Sequence, residues 1–331
     1  MRILILGGTV FLGRHIVDAA LNSGHQVTTF RRGRERSDLP SGVATIIGDR
    51  RGNHAELRDG QWDAVVDCSG YFPAHVASAA QCLASHAGQY VFISSVLQYA
   101  DLSKPGTCED APSAHSNFIG NPPLNELTYG PLKAMCEQEV LRVFPERATI
   151  LRPGYLVGPR DRSERFPTWV KRASVGGIML IPKSGTRAWQ LIDVRDLAAW
   201  IIALIEKRFT GIFNVTGPDR RECASDLMDC IVSAAGGSPA IRRIDVNRLR
   251  GVGGKRWLDL ADWADPPESL NGIYEVSIEQ AKRAGLVFRP LEQTVRETLA
   301  SLAHVPSSWP GSQRTIAEYL VQEEEILRAC N

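Results

Sequence analysis

The sequence predicts an α/β protein with a doubly wound parallel sheet and a smaller C-terminal lobe. Three observations predict it. Short apolar runs alternate with longer segments of helical period, the pattern of right-handed βαβ units. The apolar runs are continuous, as expected of strands covered on both faces. A glycine-rich turn follows the first run at once.

Ile3–Leu6 reads as the first strand and Phe11–Ser23 as the first helix, stopped by Gly24. Val27–Phe30 and Ala44–Ile47 follow as strands. Ala64–Asp67 and Tyr90–Ser94 are further strands, with a helix at His75–Ser85 between them. Tyr129–Val143 is the next helix and Thr149–Leu151 the next strand. After Asn214-Val215-Thr216-Gly217 the texture changes to Arg, Asp and Gly clusters, the stretch Trp257–Trp263 and Asp265-Pro266-Pro267. Residues 1–217 are therefore read as the sheet domain that carries the glycine-rich turn, to which parts of the later chain return. Residues 218–331 are read as a smaller substrate lobe. A last helix is expected over Thr315–Cys330, with Glu323–Glu325 on a solvated face.

The 331 residues are 44% hydrophobic and 23% charged, which fits a globular protein and excludes a disordered chain. Lys plus Arg is 38 against 37 Asp plus Glu, a net charge of +1. That balance gives no global attraction to nucleic acid or an anionic membrane. Seven scattered cysteines, with no C-x-x-C pair, fit free thiols of a reducing compartment better than a disulfide framework. The apolar start Ile3–Leu6 is too short for a signal-peptide core, and no run reaches the roughly 20 residues of a membrane span. A soluble, cytoplasmic protein is expected. His15, His25 and His75 lack partner spacing, so no metal site is expected.

The segment Ile5-Leu6-Gly7-Gly8-Thr9-Val10-Phe11-Leu12-Gly13 runs from strand through tight turn into helix. Gly7 permits the sharp turn, Gly13 permits close packing of helix on strand, and the helix N-terminus offers N–H groups to a pyrophosphate. The turn thus predicts a Rossmann-type dinucleotide site using Gly7, Thr9, Val10, Phe11, Leu12 and Gly13. The next strand ends on Arg31 and Arg32, where an acid would hold an NAD ribose. Arginine there favours a 2′-phosphate, so NADP(H) is expected ahead of NAD(H). The basic cluster continues to Arg34. Asp49, after the third strand, can accept from the adenine amino group or form a turn.

Tyr129-Gly130-Pro131-Leu132-Lys133 places a phenol and an ammonium four apart, on one helix face. The ammonium is expected to lower the phenol's pKa toward working pH. Tyr129 can then exchange a proton with a carbonyl or alcohol oxygen. Lys133 would also bond the nicotinamide ribose. Ser95, at a strand's carboxyl end, can donate to the same oxygen.

The order of the glycine turn, Gly48-Asp49, Ser94-Ser95, Tyr129–Lys133, Leu151-Arg152-Pro153, Gly158-Pro159 and Asp193–Ala198 resembles the extended short-chain dehydrogenase/reductases, the NAD(P)-dependent epimerase/dehydratase superfamily. The Gly-Gly-Thr-x-Phe-Leu-Gly form is similar to its atypical branch. The resemblance covers residues 1–220 well and continues weakly through Val276–Ala300. It implies a catalytic set of Ser95, Tyr129 and Lys133, with Pro153 along the cofactor; Asp67-Cys68-Ser69-Gly70 departs from the family's apolar-Ala-Ala, but small Ser69 and Gly70 would still let the cofactor pass. It also implies a homodimer through a four-helix interface, for which the helices at His75–Ser85 and Tyr129–Val143 are candidates.

Three departures narrow the chemistry. Val10 replaces the family's middle glycine. Ser95-Val96-Leu97-Gln98 lacks the Asp-Glu pair of sugar-nucleotide dehydratases, which disfavours dehydration. Tyr155 stands where many sugar-nucleotide enzymes have asparagine, which narrows the pocket. Tyr71, Gln98, Tyr155, Trp189 and Gln190 are the expected substrate-pocket residues, while Asp193 and Asp196 are expected to fix the sheet-to-lobe connection. The first reading is an NADPH-dependent reductase of a ketone or activated double bond in a small metabolite, aromatic or otherwise. The alternatives are a nucleotide-sugar epimerase and a non-catalytic or RNA-binding relative.

Overall fold

Seven parallel strands form the central sheet in a computed structural model that describes residues 1–33, 39–52, 54–118, 120–183, 188–218, 222–251 and 265–329. The first six strands are β1 (Arg2–Leu6), β2 (Gln26–Arg31), β3 (Ala44–Ile47), β4 (Trp62–Asp67), β5 (Ala87–Ile93) and β6 (Ala148–Pro153). Beyond them come β7 (Leu156–Val157), β8 (Ile178–Lys183), β9 (Ala188–Trp189), β10 (Ile192–Asp193) and β11 (Gly211–Val215). The spatial order is β3-β2-β1-β4-β5-β6-β11, and every neighbouring pair is parallel. This is the doubly wound order with its switch point beside β1. Ile3, Leu4 and Ile5 have no exposed surface, as continuous apolar strands covered on both faces require.

Helices cover both faces. Helix α1 (Phe11–Asn22) packs with the later α5 on one side. Helices α2 (Pro73–Leu83) and α3 (Glu126–Val143) pack together on the other. Helix α3 starts three residues before Tyr129. Asn125 explains the start: its Oδ1 accepts from the N–H of Leu127 at 3.0 Å and of Thr128 at 3.1 Å, while the Thr128 hydroxyl oxygen accepts from the Asn125 N–H at 3.0 Å.

Strand β11 escapes the apolar-run reading because its Asn214 is polar. Asn214 is wholly buried, donating its N–H to Glu109 at 2.9 Å and accepting from the Tyr99 hydroxyl at 2.7 Å. Arg152 joins the same network through Glu137, at 2.7 Å, and Tyr99.

The second hydrophobic core draws on chain from both sides of Gly217. Helix α4 (Phe166–Ala173) and β8 contribute Phe166, Trp169 and Ile181. Helices α5 (Val194–Glu206), α6 (Ala224–Ala235) and α7 (Val246–Gly251) follow, with β12 (Glu222–Cys223) and β13 (Ala240–Asp245), and β13 pairs parallel to β8. Helices α8 (Glu279–Arg283), α9 (Leu291–Ser301) and α10 (Gln313–Ala329) close the chain. Helix α6 supplies Leu227 and Ile231 to this core, and α10 supplies Tyr319 and Ile326.

Glu323 corrects an expectation. It does not face solvent: it is 2% exposed and accepts from Arg172 at 2.7 Å and from the Leu180 N–H at 2.6 Å. A buried arginine on α4 demanded a carboxylate, and only tertiary packing brings one there. Asp193 and Asp196 do join sheet to lobe, through Thr294 at 2.8 Å and Arg289 at 2.7 Å. The expected stretch Trp257–Trp263, together with Arg34 and Cys330, lies outside the described residues. Among the described residues no helix is long and apolar enough to cross a membrane, and no cluster of three acidic, His or Cys side chains is placed to hold a metal.

Candidate active site

The carboxyl ends of β1, β4, β5 and β6 meet around a cavity of about 550 Å³. Gly7 and the start of α1 form one wall, through Val10, Phe11, Leu12 and Gly13. Gly7 turns with a φ of 94°, which only glycine adopts without strain. A Cβ on Gly13 would lie 2.4 Å from the Gly7 carbonyl oxygen, so the helix can seat against the turn only with glycine there. The first backbone bond of α1 runs from the Arg14 N–H to the Val10 carbonyl. The N–H groups of Phe11, Leu12 and Gly13 therefore belong to the orphan first turn, beside the cavity these residues line. Val10 is the N-cap residue of α1, and it is 45% exposed where it lines the cavity.

Ser95, Tyr129 and Lys133 all line this cavity. Ser95 follows β5 and accepts from the Leu97 N–H at 3.2 Å. Gly130 lets α3 approach: a Cβ there would collide with the Leu97 carbonyl. Lys133 is 3% exposed, and its ammonium donates to the carbonyls of Gly70 and Ile93, each at 2.7 Å. It also lies 4.9 Å from the Tyr71 ring centroid and 5.0 Å from that of Phe92. Burial pulls its pKa down to about 8.

The phenol departs from expectation. Tyr129 is not lowered toward neutrality; burial pushes it up to about 12, against a smaller lowering from Ser95. Lys133 sits 5.9 Å from the Tyr129 ring centroid, and desolvation is the largest influence on the phenol. At neutral pH Tyr129 therefore carries its proton.

The remaining expected cofactor residues separate into two groups. Pro153 lines the cavity. Thr9, Arg31, Arg32, Asp49, Ser69 and Gly70 do not. Ser69 and Gly70 act beneath it: Ser69 donates to the Leu6 carbonyl at 3.2 Å and accepts from Arg50 at 2.8 Å, while Gly70 receives Lys133. Arg31 ends β2, Arg32 follows it exposed, and Asp49 lies beyond β3. Asp49 is forked by Arg51 at 2.6 and 3.0 Å, which holds its carboxyl well below the usual carboxylate range.

Of the expected pocket residues, Tyr71 and Tyr155 line the cavity. Gln98, Trp189 and Gln190 do not. Gln98 is fully buried, and neither amide atom has a hydrogen-bond partner. Trp189 stands behind the wall, 5.6 Å from the Tyr155 ring and 5.5 Å from that of Tyr274. Gln190 is spent on the Val276 backbone, with which it exchanges two bonds of 3.1 Å. Adjacency to strand ends pointed to these three, but packing turned them away. Sequence reasoning missed Asp161, Arg165, Ile273 and Tyr274, all cavity-lining. Arg50 was missed as well. It pairs with the buried Asp67 through two bonds of 2.8 and 2.9 Å, and Asp67 also accepts from Ser69 and Tyr90.

The family model for the NAD dependent epimerase/dehydratase family matches residues 3–216, which span the glycine turn, Ser95, Tyr129 and Lys133. This chain belongs to that family. Among its relatives, the chloroplast stem-loop binding protein of 41 kDa b of Arabidopsis thaliana is 26% identical over 257 residues, covering 72% of this chain and 64% of that protein. The 2-alkyl-3-oxoalkanoate reductase of Stenotrophomonas maltophilia is 29% identical over 203 residues, covering 55% of this chain and 58% of that one. The matches thus span under two-thirds of those relatives' lengths. The structure of UDP-glucuronic acid 4-epimerase from Bacillus cereus in complex with NAD superposes with a TM-score of 0.66 at 17% identity, over 91% of this chain and 98% of that one. The family fold therefore extends through the second core.

Proposed function

We propose that this family member is a nicotinamide-dinucleotide-dependent reductase of a small carbonyl compound, acting through Ser95, Tyr129 and Lys133. The observation that carries the reading is that Ser95, Tyr129 and Lys133 line one cavity together with the glycine turn at Gly7 and Gly13. Reduction needs an acid at the developing alkoxide, whereas oxidation of an alcohol, the first step of an epimerase, needs a base. Burial pushes the Tyr129 phenol up, toward its proton-carrying form. The similarity to a 3-oxo acid reductase supports the same direction.

The residues present fit a dinucleotide. Gly7 and Gly13 leave a cradle that a Cβ would fill, and the orphan N–H groups of α1 match a pyrophosphate. Asp49 would hold the adenine end and Arg31 with Arg32 a 2′-phosphate, which favours NADP(H). When bound, the cofactor supplies the hydride. Ser95 would polarise the carbonyl oxygen, and Tyr129 would deliver its proton there. The Lys133 ammonium has three donors, two of them committed to Gly70 and Ile93, so one remains for a ribose hydroxyl.

The test is NADPH and NADH consumption with a panel of small ketones and 3-oxo acids, using wild type and Tyr129→Phe. The expected result is consumption with a preference for NADPH, and a fall of about 10²- to 10⁴-fold in kcat/KM for the variant. Undiminished turnover by Tyr129→Phe refutes the role of the phenol. Tightly held oxidised cofactor, with no net consumption, favours the epimerase.

A further inference from the structure

Beside the reaction cavity lies a second hollow of about 570 Å³, with Leu124, Pro266, Pro267 and Leu270 in its walls. Leu97, Tyr129, Arg165, Ile273 and Tyr274 line both spaces. The two therefore join at the reactive phenol. Apart from Asn125, Glu126 and Arg165, the walls of the second hollow are aliphatic, proline or tyrosine.

Arg165 is the cation at this junction. It is the residue immediately before α4, and its guanidinium lies 4.5 Å from the Tyr155 ring centroid. It has no ion-pair partner among the described residues. The nearby carboxyl of Asp161 feels its charge but is hydrogen-bonded elsewhere, accepting from the Ser163 N–H at 2.7 Å and hydroxyl at 3.0 Å, and burial raises it to about 6. Glu126 lines only the far hollow. A guanidinium laid on an aromatic face keeps its N–H fork for a planar anion, and a carboxylate matches that fork in two places.

We propose that Arg165 binds the carboxylate of a carbonyl substrate whose apolar arm fills the hollow of Leu124, Pro266 and Leu270. The assignment rests on the reductase reading but makes a separate claim. Arg165 holds the anion, the second hollow takes the aliphatic chain, and Tyr129 faces the carbonyl between them. The substrate class is an aliphatic oxo acid; neutral ketones of the same length would miss the anchor.

The test uses octanoate and its neutral counterpart octanamide as non-reacting probes, titrated calorimetrically into wild type, Arg165→Met, Arg165→Lys and Leu270→Gln. Octanoate is expected to bind wild type about tenfold or more tighter than octanamide, the usual strength of a hydrogen-bonded charge contact. Arg165→Met should remove that advantage and leave octanamide within about twofold, Arg165→Lys should restore part of it, and Leu270→Gln should weaken both probes. Equal affinity for the two probes, no octanoate binding at millimolar concentration, or the same loss for both in Arg165→Met overturns the proposal. No hydride transfer enters this measurement. Arg165-dependent octanoate binding without carbonyl reduction would leave the anchor standing and sink the reductase. Tyr129-dependent reduction with indifferent octanoate binding would do the reverse.

Discussion

Two cations sit at the carboxyl edge of one sheet, Lys133 buried and Arg50 partly so, and they are held in opposite ways. Arg50 faces a carboxylate, Asp67, in a two-point contact that Ser69 and Tyr90 complete. Lys133, on the far side of β4, has only carbonyl oxygens and aromatic faces around it. Asp67 more than offsets the desolvation of Arg50, whose pKa rises above its usual value. The desolvation of Lys133 is only partly offset, by Cys136 and the more distant Asp67, and its pKa falls to about 8. A compensated charge is locked and structural; an uncompensated one stays responsive to a ligand or to pH.

The largest break of this comparison is Asp67→Ala. It strands a buried guanidinium and should cost about 3–5 kcal/mol of unfolding free energy in a denaturant titration. A loss under about 1 kcal/mol would mean that Arg50 swings to solvent. Lys133→Met should do the opposite: global stability at pH 7 is retained or raised, because an uncompensated charge is removed. On the proposed reading, kcat/KM against the ketone panel should still fall about 10²-fold or more.

The pH dependence sharpens the contrast. Lys133 has a folded pKa of about 8 against 10.5 for the free side chain, so the unfolded chain binds more protons between those values. Stability therefore rises with pH above about 8 for this group. Subtracting the Lys133→Met stability profile from that of wild type isolates the effect, and a flat difference between pH 7 and 9 contradicts the assignment. Asn125→Ala is the smallest change. It should cost about 1 kcal/mol, the value of a helix cap, and loosen the first turn that carries Tyr129. Thermal melting checks the stability, and a rise in KM without loss of fold checks the placement.

The same contrast explains what the sequence could reveal. Gly7, Gly13, Tyr129 and Lys133 are legible because local spacing dictates their roles: a turn that only glycine makes, and a helix that puts residues four apart on one face. Ser95 is legible from its place at a strand end. Arg50 with Asp67, and Arg172 with Glu323, are illegible, because their partners lie 17 and 151 residues away and no period links them. Gln98, Trp189 and Gln190 follow strand ends as pocket residues do, yet Gln98 is packed inside without a side-chain partner, Trp189 packs on Tyr155, and Gln190 bonds Val276, which pattern alone does not bring near. The phenol's pKa was misjudged for a related reason: spacing reveals the ammonium, but only packing reveals how much water is lost.

The tie between Arg172 and Glu323 also has a bearing on synthesis. Helix α4 leaves the ribosome with a guanidinium meant for burial and no counter-charge until about 150 further residues have been made. Tyr319 and Ile326 arrive equally late for the core they complete. The nucleotide-binding sheet can settle once β11 has emerged, but the lobe must wait for the last helix. A nascent chain stalled near residue 300 should therefore expose the apolar face of α4 and be the species that chaperones hold.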